Sequence, residues 1–253
     1  MIFVIILALI QGITEFLPIS SSGHLLILEH FFDIEQKVAY TTLMHLGTLI
    51  AVIFFFKDKI IKIIKGVLKR EKDSFFYLFF IAFGSVPAGL VGFFLKNFIE
   101  EIFENILLLP LFFLFTGVIL LLTKFCKVDN KKIGVFSSIL IGIAQAVAII
   151  PGVSRSGTTI SSGIFLKVER KEVFDFSFLL SIPAVLGANI LEFKEITTEI
   201  KFLEGFLAIG VSFLTGILAL FILKRSIITK RFWIFSFYCF GIAVITFIFN
   251  LTY

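Results

Sequence analysis

Glu15, His24 and Arg155 are ionisable residues set inside otherwise apolar stretches, each among hydroxyls. The first stretch reads Gln11-Gly-Ile-Thr-Glu15-Phe-Leu-Pro18-Ile-Ser20-Ser21-Ser22-Gly23-His24. Gln11 and Glu15 are four residues apart and so share one face of a helix. A carboxylate within a bilayer segment is costly to keep and points to a task; the plainer readings are a wet helix end or a structural partner. Ser20, Ser21, Ser22 and Gly23 break the helix, and His24 falls in the first turn of the returning one. A helix start aims free N–H groups and a positive dipole end at its surroundings, which favours an anion and suits a neutral His24 to act as base or nucleophile. His30 and His45 stand near span boundaries without a motif and read as ordinary hydrogen-bonded histidines.

The second stretch is Pro151-Gly152-Val-Ser154-Arg155-Ser156-Gly157-Thr158-Thr159. Arg155 is the only Arg deep in an apolar segment, and a guanidinium can grip phosphate oxygens with two parallel bonds. Gly152 and Gly157 let the backbone turn and approach a ligand closely. A Glu15–Arg155 salt bridge that merely locks two segments together is the plain alternative. Hydroxyls on both sides of Arg155 and a second helix start exceed what one carboxylate needs, so a phosphate group is the better partner.

These residues need a frame that keeps polar groups inside lipid. Of the 253 residues 58% are hydrophobic and only 16% charged, and the mean hydropathy is +1.08, far from soluble composition. Apolar spans fall at 39–56, 75–95, 106–123, 174–191, 202–223 and 232–251. Segments 1–31 and 133–166 are apolar too, but each is interrupted by its polar, Gly/Pro-containing stretch, and each half is short for a crossing. Irregular backbone at membrane depth survives only where protein or water covers it. Both therefore read as re-entrant helical hairpins. The expected fold is an all-α polytopic membrane protein, one domain, with six transmembrane helices and two hairpins. The 36 Phe residues read as lipid-facing filler, and the apolar N-terminus, with no basic region or cleavage site, as mature structure.

Eighteen of the 23 Lys and Arg residues lie in segments 57–73, 124–132, 167–172 and 224–231, while Glu gathers near 29–37, 96–104 and 192–204. By the positive-inside rule the first set is cytoplasmic. The net charge of +5 thus orients the chain in a membrane and gives no nucleic-acid groove. The path closes with both termini outside and the second half inverted relative to the first, repeats of about 1–123 and 133–253. An offset of 134 matches Gln11 with Gln145, Ser20 with Ser154, Ser22 with Ser156 and Gly23 with Gly157. A second echo pairs Ser85-Val-Pro-Ala with Ser181-Ile-Pro-Ala. Inverted repeats with broken helices place a binding site at the repeat interface near the midplane. Cys126 and Cys239 give no disulfide framework.

The two motifs resemble those of the undecaprenyl-diphosphate phosphatases associated with bacitracin resistance. The (Glu/Gln)-x-x-x-Glu motif runs from Gln11 to Glu15, and Pro-Gly-x-Ser-Arg-Ser-x-x-Thr from Pro151 to Thr159; length, motif spacing and span count agree over the whole chain. The resemblance implies removal of the terminal phosphate from undecaprenyl diphosphate, regenerating the monophosphate carrier for cell-wall synthesis. It implies a divalent cation (Mg²⁺ or Ca²⁺) with Glu15 as its ligand, a bacterial cell membrane, a site open to the extracytoplasmic side, and homodimers. Glu15, His24 and Arg155 would be catalytic, with Ser21 a nucleophile or phosphate ligand. Gln11, Ser20, Ser22, Gly152, Ser154, Ser156 and Thr159 would bind substrate. Position 11 is Gln where many relatives have Glu, which puts more weight on Glu15. His24, Ser21 and water all stand as nucleophiles. The rival from another class is a lipid flippase or secondary transporter, since inverted repeats also build transporters.

Overall fold

Hydropathy and punctuation together cut the chain into helices. The computed structural model describes residues 1–32, 38–127, 131–196 and 200–252. Among them are α1 (Ile2–Phe16), α2 (Ser21–Phe32), α3 (Val38–Phe55), α4 (Lys57–Leu68), α5 (Lys72–Phe94), α6 (Lys96–Glu104), α7 (Leu109–Leu122), α8 (Val135–Val147), α9 (Arg155–Phe165), α10 (Arg170–Ile196), α11 (Phe202–Ile228) and α12 (Phe235–Thr252), with short 3₁₀ turns before α7, after it and before α12. The one strand-like feature among the described residues is an isolated bridge between Lys131 and Val168.

Among the described residues six helices are long and apolar enough to cross a membrane: Val38–Phe55, Lys72–Phe94, Ile106–Phe125, Arg170–Ile190, Phe202–Ile228 and Phe232–Thr252. They coincide with the six spans expected. This is a multi-pass membrane protein. α1 with 15 residues and α8 with 13 fall short: at 1.5 Å per residue α1 covers about 22 Å of a core about 30 Å thick. Pro18 and Pro151 follow them and prevent continuation. Two expected loops are helices instead. Segment 57–73 holds α4 and segment 96–104 is α6, both with apolar residues at helical spacing, which lets charged helices lie along a membrane surface. The Glu-rich segments 29–37 and 192–204 lie in part outside the described residues.

Helix pairing crosses between the halves. α1 packs along α11, α8 along α5, α3 against α10, and α7 against α12. Small residues make the approaches close: a Cβ on Gly142 would stand 2.1 Å from the Gly84 carbonyl oxygen, and one on Gly12 2.7 Å from that of Ser212. The basic segments meet at one end, where Lys59 reaches Asp175 (2.8 Å) and Glu172 (3.4 Å) and Lys124 sits 4.4 Å over the Trp233 ring.

Phenylalanine has two uses, not one. Phe75, Phe76, Phe79, Phe93 and Phe94 on α5 are exposed as filler should be, but Phe16, Phe174, Phe176 and Phe178 are wholly buried in the main core. There Phe16 meets Phe178 edge-on at 5.5 Å. The Ser85/Ser181 echo is also corrected. It falls on α5 and α10, which do not correspond under the 134-residue offset, and marks a Pro inside a long helix in both cases.

Gly142→Ala tests the tightest of these approaches. The obstacle is backbone, which cannot swing aside, so unfolding of the purified protein in mixed micelles should show a loss of about 1–3 kcal/mol. An unchanged midpoint would mean that α5 and α8 can separate freely.

Candidate active site

The two broken segments end in tips of the same construction. In the first, Ser20 adopts φ +66, its hydroxyl accepts from the Gly23 N–H (3.3 Å) and lies 3.3 Å from the Ser22 hydroxyl. In the second, the Ser154 hydroxyl accepts from the Gly157 N–H (3.1 Å) and lies 3.3 Å from the Ser156 hydroxyl. Ser154 thereby caps α9, satisfying one of its first-turn donors. Each tip is also held by a crossing from the other half. Thr116 on α7 donates to the Gly152 carbonyl (3.0 Å) and accepts from the Ser154 N–H (3.1 Å); Cys239 on α12 donates to the Pro18 carbonyl (3.5 Å).

The tips touch. A Cβ on Gly23 would lie 3.0 Å from the Gly152 Cα. Gly152 itself has φ +84, a conformation that other residues adopt at a cost.

Where the tips meet, four side chains converge on Glu15. The Arg155 Nη2 donates to its Oε1. Its Oε2 accepts from the Ser21 hydroxyl (2.6 Å) and from the Gln11 Nε2 (3.0 Å). His45 Nδ1 lies 3.2 Å from that same Nε2 and 3.9 Å from Oε2. Glu15 is 8% exposed and Arg155 15%, so the pair is screened from solvent and strongly coupled. Two polar atoms in the cluster are buried without any partner: Arg155 Nη1 and Gln11 Oε1. A narrow cleft, with no room for a water molecule, runs from the pair between α3 and α10, past Thr48, Val52, Ser181 and Val185.

The other expected site residues sit as follows. Ser20, Ser22, Ser154 and Ser156 spend their hydroxyls on shaping the tips. Thr159 is turned away from Glu15, with its hydroxyl on the Arg155 carbonyl (2.7 Å) and 2.6 Å from that of Ser177. His24 also faces elsewhere. Its Nδ1 is 2.7 Å from the Ser20 carbonyl, which can only accept, so Nδ1 carries the proton. Its Nε2 is 2.7 Å from the Tyr238 hydroxyl, with the two rings stacked at 5.6 Å and Phe113 edge-on at 5.5 Å.

Sequence reasoning missed His45 and Tyr238. His45 was set aside as ordinary, though it is an ionisable residue inside a span, the same signal that singled out Glu15. Tyr238 carries no local signal, because its partner is 214 positions away.

The arrangement has the parts of an anion-transfer site: a hydroxyl bonded to a carboxylate, a guanidinium with an unspent donor, and the starts of α2 and α9. Among the described residues no cluster of three or more His, Cys, Asp or Glu could hold a metal. Glu15 is the sole carboxylate among the residues that line the cleft, and the orphaned Gln11 Oε1 is a second oxygen beside it.

Residues 4–245 match the family described as "Bacitracin resistance protein BacA". The chain is 38% identical over 251 residues to an "Undecaprenyl-diphosphatase" of Methanococcus maripaludis strain C7, covering 96% of this chain and 99% of the relative. It is 40% identical over 248 residues to one of Thermosipho africanus (96% and 98%), and 37% over 247 residues to one of Thermotoga sp. strain RQ2 (96% and 98%).

Breaking the ion pair from either side should be costly. Glu15→Gln or Arg155→Met alone leaves a buried charge without its partner, a loss of about 3–5 kcal/mol in denaturant unfolding of the purified protein. The double substitution should be less damaging than the sum of the two. Strict additivity would show that the pair is not coupled.

Proposed function

The chain belongs to the bacitracin resistance protein BacA family, and on that premise we propose that it hydrolyses undecaprenyl diphosphate to undecaprenyl phosphate and inorganic phosphate, recycling the lipid carrier of peptidoglycan synthesis. The observation that carries the reading is the guanidinium of Arg155, with Nη2 on Glu15 and Nη1 buried without a partner. A terminal phosphate would satisfy that donor and gain those first-turn N–H groups of α2 and α9 that the Ser20 and Ser154 hydroxyls do not cap. Charge on the transferred phosphoryl group is then neutralised by groups already in place, the main source of rate in such reactions.

Ser21 is the nucleophile this geometry favours. Its hydroxyl already donates to Glu15 at 2.6 Å, a nucleophile and base in bonding contact, whereas His24 Nε2 is engaged by Tyr238. In this reading Ser21 Oγ bonds to the terminal phosphorus, the bond from phosphorus to the bridging oxygen breaks, and undecaprenyl phosphate leaves with the bond's electrons. The Ser21 proton passes to Glu15. Water then attacks the phosphoserine, returning the hydroxyl and releasing phosphate. Gln11 and His45 position Glu15. The cleft is closed as it stands, so the prenyl tail would reach the site by parting α3 and α10 beside Val52 and Val185.

A divalent cation fits these residues with the substrate's help. Glu15 and the orphaned Gln11 Oε1 would hold it, and phosphate oxygens and water would complete its shell, as Mg²⁺ prefers. Bound there it supplies further neutralisation of the diphosphate. We place the opening on the extracytoplasmic face of the cell membrane. Support comes from the basic segments gathered at the other end, and the crossed pairing of helices supports an inverted repeat with re-entrant hairpins. Homodimers follow from the family resemblance alone.

Purified protein in detergent should release phosphate from a polyprenyl diphosphate, with no gradient present to drive transport. Arg155→Lys should lose about 10²- to 10³-fold in rate, because a point charge cannot replace the planar fork; near-normal turnover would end the assignment. Protein incubated with labelled substrate and quenched in neutral SDS should carry a label at Ser21 that survives a later acid treatment, as phosphoserine does. Acid-labile phosphohistidine at His24 would overturn the choice of nucleophile.

A further inference from the structure

A second cavity, open to the surface, lies far along the chain from the catalytic tips, where α11 ends. It has a volume of about 460 Å³ and is lined by Ile222, Arg225, Ser226, Thr229, Arg231 and Ile234, among others. None of these residues takes part in the site described above.

The walls are graded. Arg225, Ser226, Thr229 and Arg231 cluster at the helix end, while Ile222, one turn earlier on α11, and Ile234, past the bend, are apolar and exposed. The bend itself is held tightly. Lys230 has φ +59, the Arg231 N–H donates to the Ser226 carbonyl at 2.7 Å, and the Thr229 N–H to that of Arg225 at 2.9 Å. The cavity is therefore shaped before any ligand arrives.

The cations here are unspent. Some basic groups on this end of the molecule are engaged, Lys59 with Asp175 and Glu172, Lys124 over Trp233 and Lys224 over Phe55; others, like these two, are not. Among the described residues the guanidinium of neither Arg225 nor Arg231 pairs with a carboxylate or a ring. The plain accounts are positive charge favoured at a helix C-terminus and the cytoplasmic excess of basic residues; neither calls for two guanidinia on one cavity wall with two hydroxyls between them. The hydroxyls complete the chemistry. Ser226 donates to the Leu223 carbonyl (2.7 Å) and Thr229 to that of Arg225 (2.8 Å). Their protons are committed, so their oxygens can only accept from a ligand.

We propose that this cavity binds the headgroup of an anionic glycerophospholipid of the cytoplasmic leaflet, a phosphatidylglycerol in chemical class. The two guanidinia would take the phosphodiester, the Ser226 and Thr229 oxygens would accept from the headgroup hydroxyls, and Ile222 and Ile234 would face the start of the acyl chains. Basic pockets between helices on the cytoplasmic side bind anionic headgroups in this way, and the volume is ordinary for a small-ligand site.

Detergent-solubilised full-length protein is titrated with short-chain phosphatidylglycerol, short-chain phosphatidylcholine and, separately, sodium phosphate, following binding by isothermal titration calorimetry. Phosphatidylglycerol should give a saturable change. Phosphatidylcholine and phosphate should bind at least tenfold more weakly. Arg225→Gln/Arg231→Gln should lose at least tenfold in apparent affinity for phosphatidylglycerol while keeping phosphatase activity, which certifies its fold. Arg225→Lys/Arg231→Lys should fall between the two. Equal responses to both lipids, or an unaltered titration in the Gln variant, would overturn the proposal. Saturation by phosphate alone would make this an inorganic anion site and likewise overturn it.

Discussion

A carboxylate and a guanidinium, Glu15 and Arg155, 140 positions apart in the chain, meet at small exposure where the two tips touch. Neither charge could be kept alone among apolar helices at acceptable cost. Each is tolerable only because the other is there, and both are there only if the tips meet. The cross-paired helices, the glycine approaches that let them close, and the Thr116 and Cys239 clamps all serve that meeting. A buried pair of this kind is weak evidence for stability. Its value lies in what it holds ready, a base bonded to a hydroxyl and a donor with one nitrogen unspent.

The tips solve one local problem twice. Serines at equivalent positions, Ser20 and Ser154, accept from glycine N–H groups three residues on, each with a second serine at 3.3 Å. Between those serines the equivalence breaks. Ser21 and Arg155 occupy the same place in their respective tips, and both bond to Glu15. One tip thus presents a group that can attack and the other a group that can bind charge. The shared hydroxyl pattern, built on backbone that differs at Ser20 (φ +66) and Ser154 (φ −74), leaves both on the same carboxylate, one at each oxygen.

Much of this was legible from composition and spacing. Six spans follow from run length and hydropathy, and the two interruptions announce themselves by Pro, Gly and Ser within apolar sequence. The offset of 134 identified the tips, because a tip's geometry is carried by a few adjacent residues. What escaped was what long-range packing decides. The direction of the His24 ring is set by Phe113 on α7 and Tyr238 on α12, which no spacing rule connects to it. α4 and α6 looked like loops because charge count conceals helical spacing. His45 could have been found, since an imidazole inside the span of α3 is as anomalous there as Glu15 is in α1. Thr159 belonged to a matching motif, yet its hydroxyl bonds to its own helix and to Ser177; a pattern of residues does not reveal which way each one points.

The contact between Gly23 and Gly152 has a practical consequence for anyone redesigning the protein. A joint made only of backbone offers no side chain to vary, and any larger residue on either partner acts as a wedge, against Phe113 in one case and against Phe112 and Leu109 in the other. Libraries that randomise the joint would therefore be dominated by broken variants. Diversity aimed at new lipid substrates belongs instead on the walls of the cleft, at Thr48, Val52 and Val185, where shape can change while the hinge of the chemistry stays put.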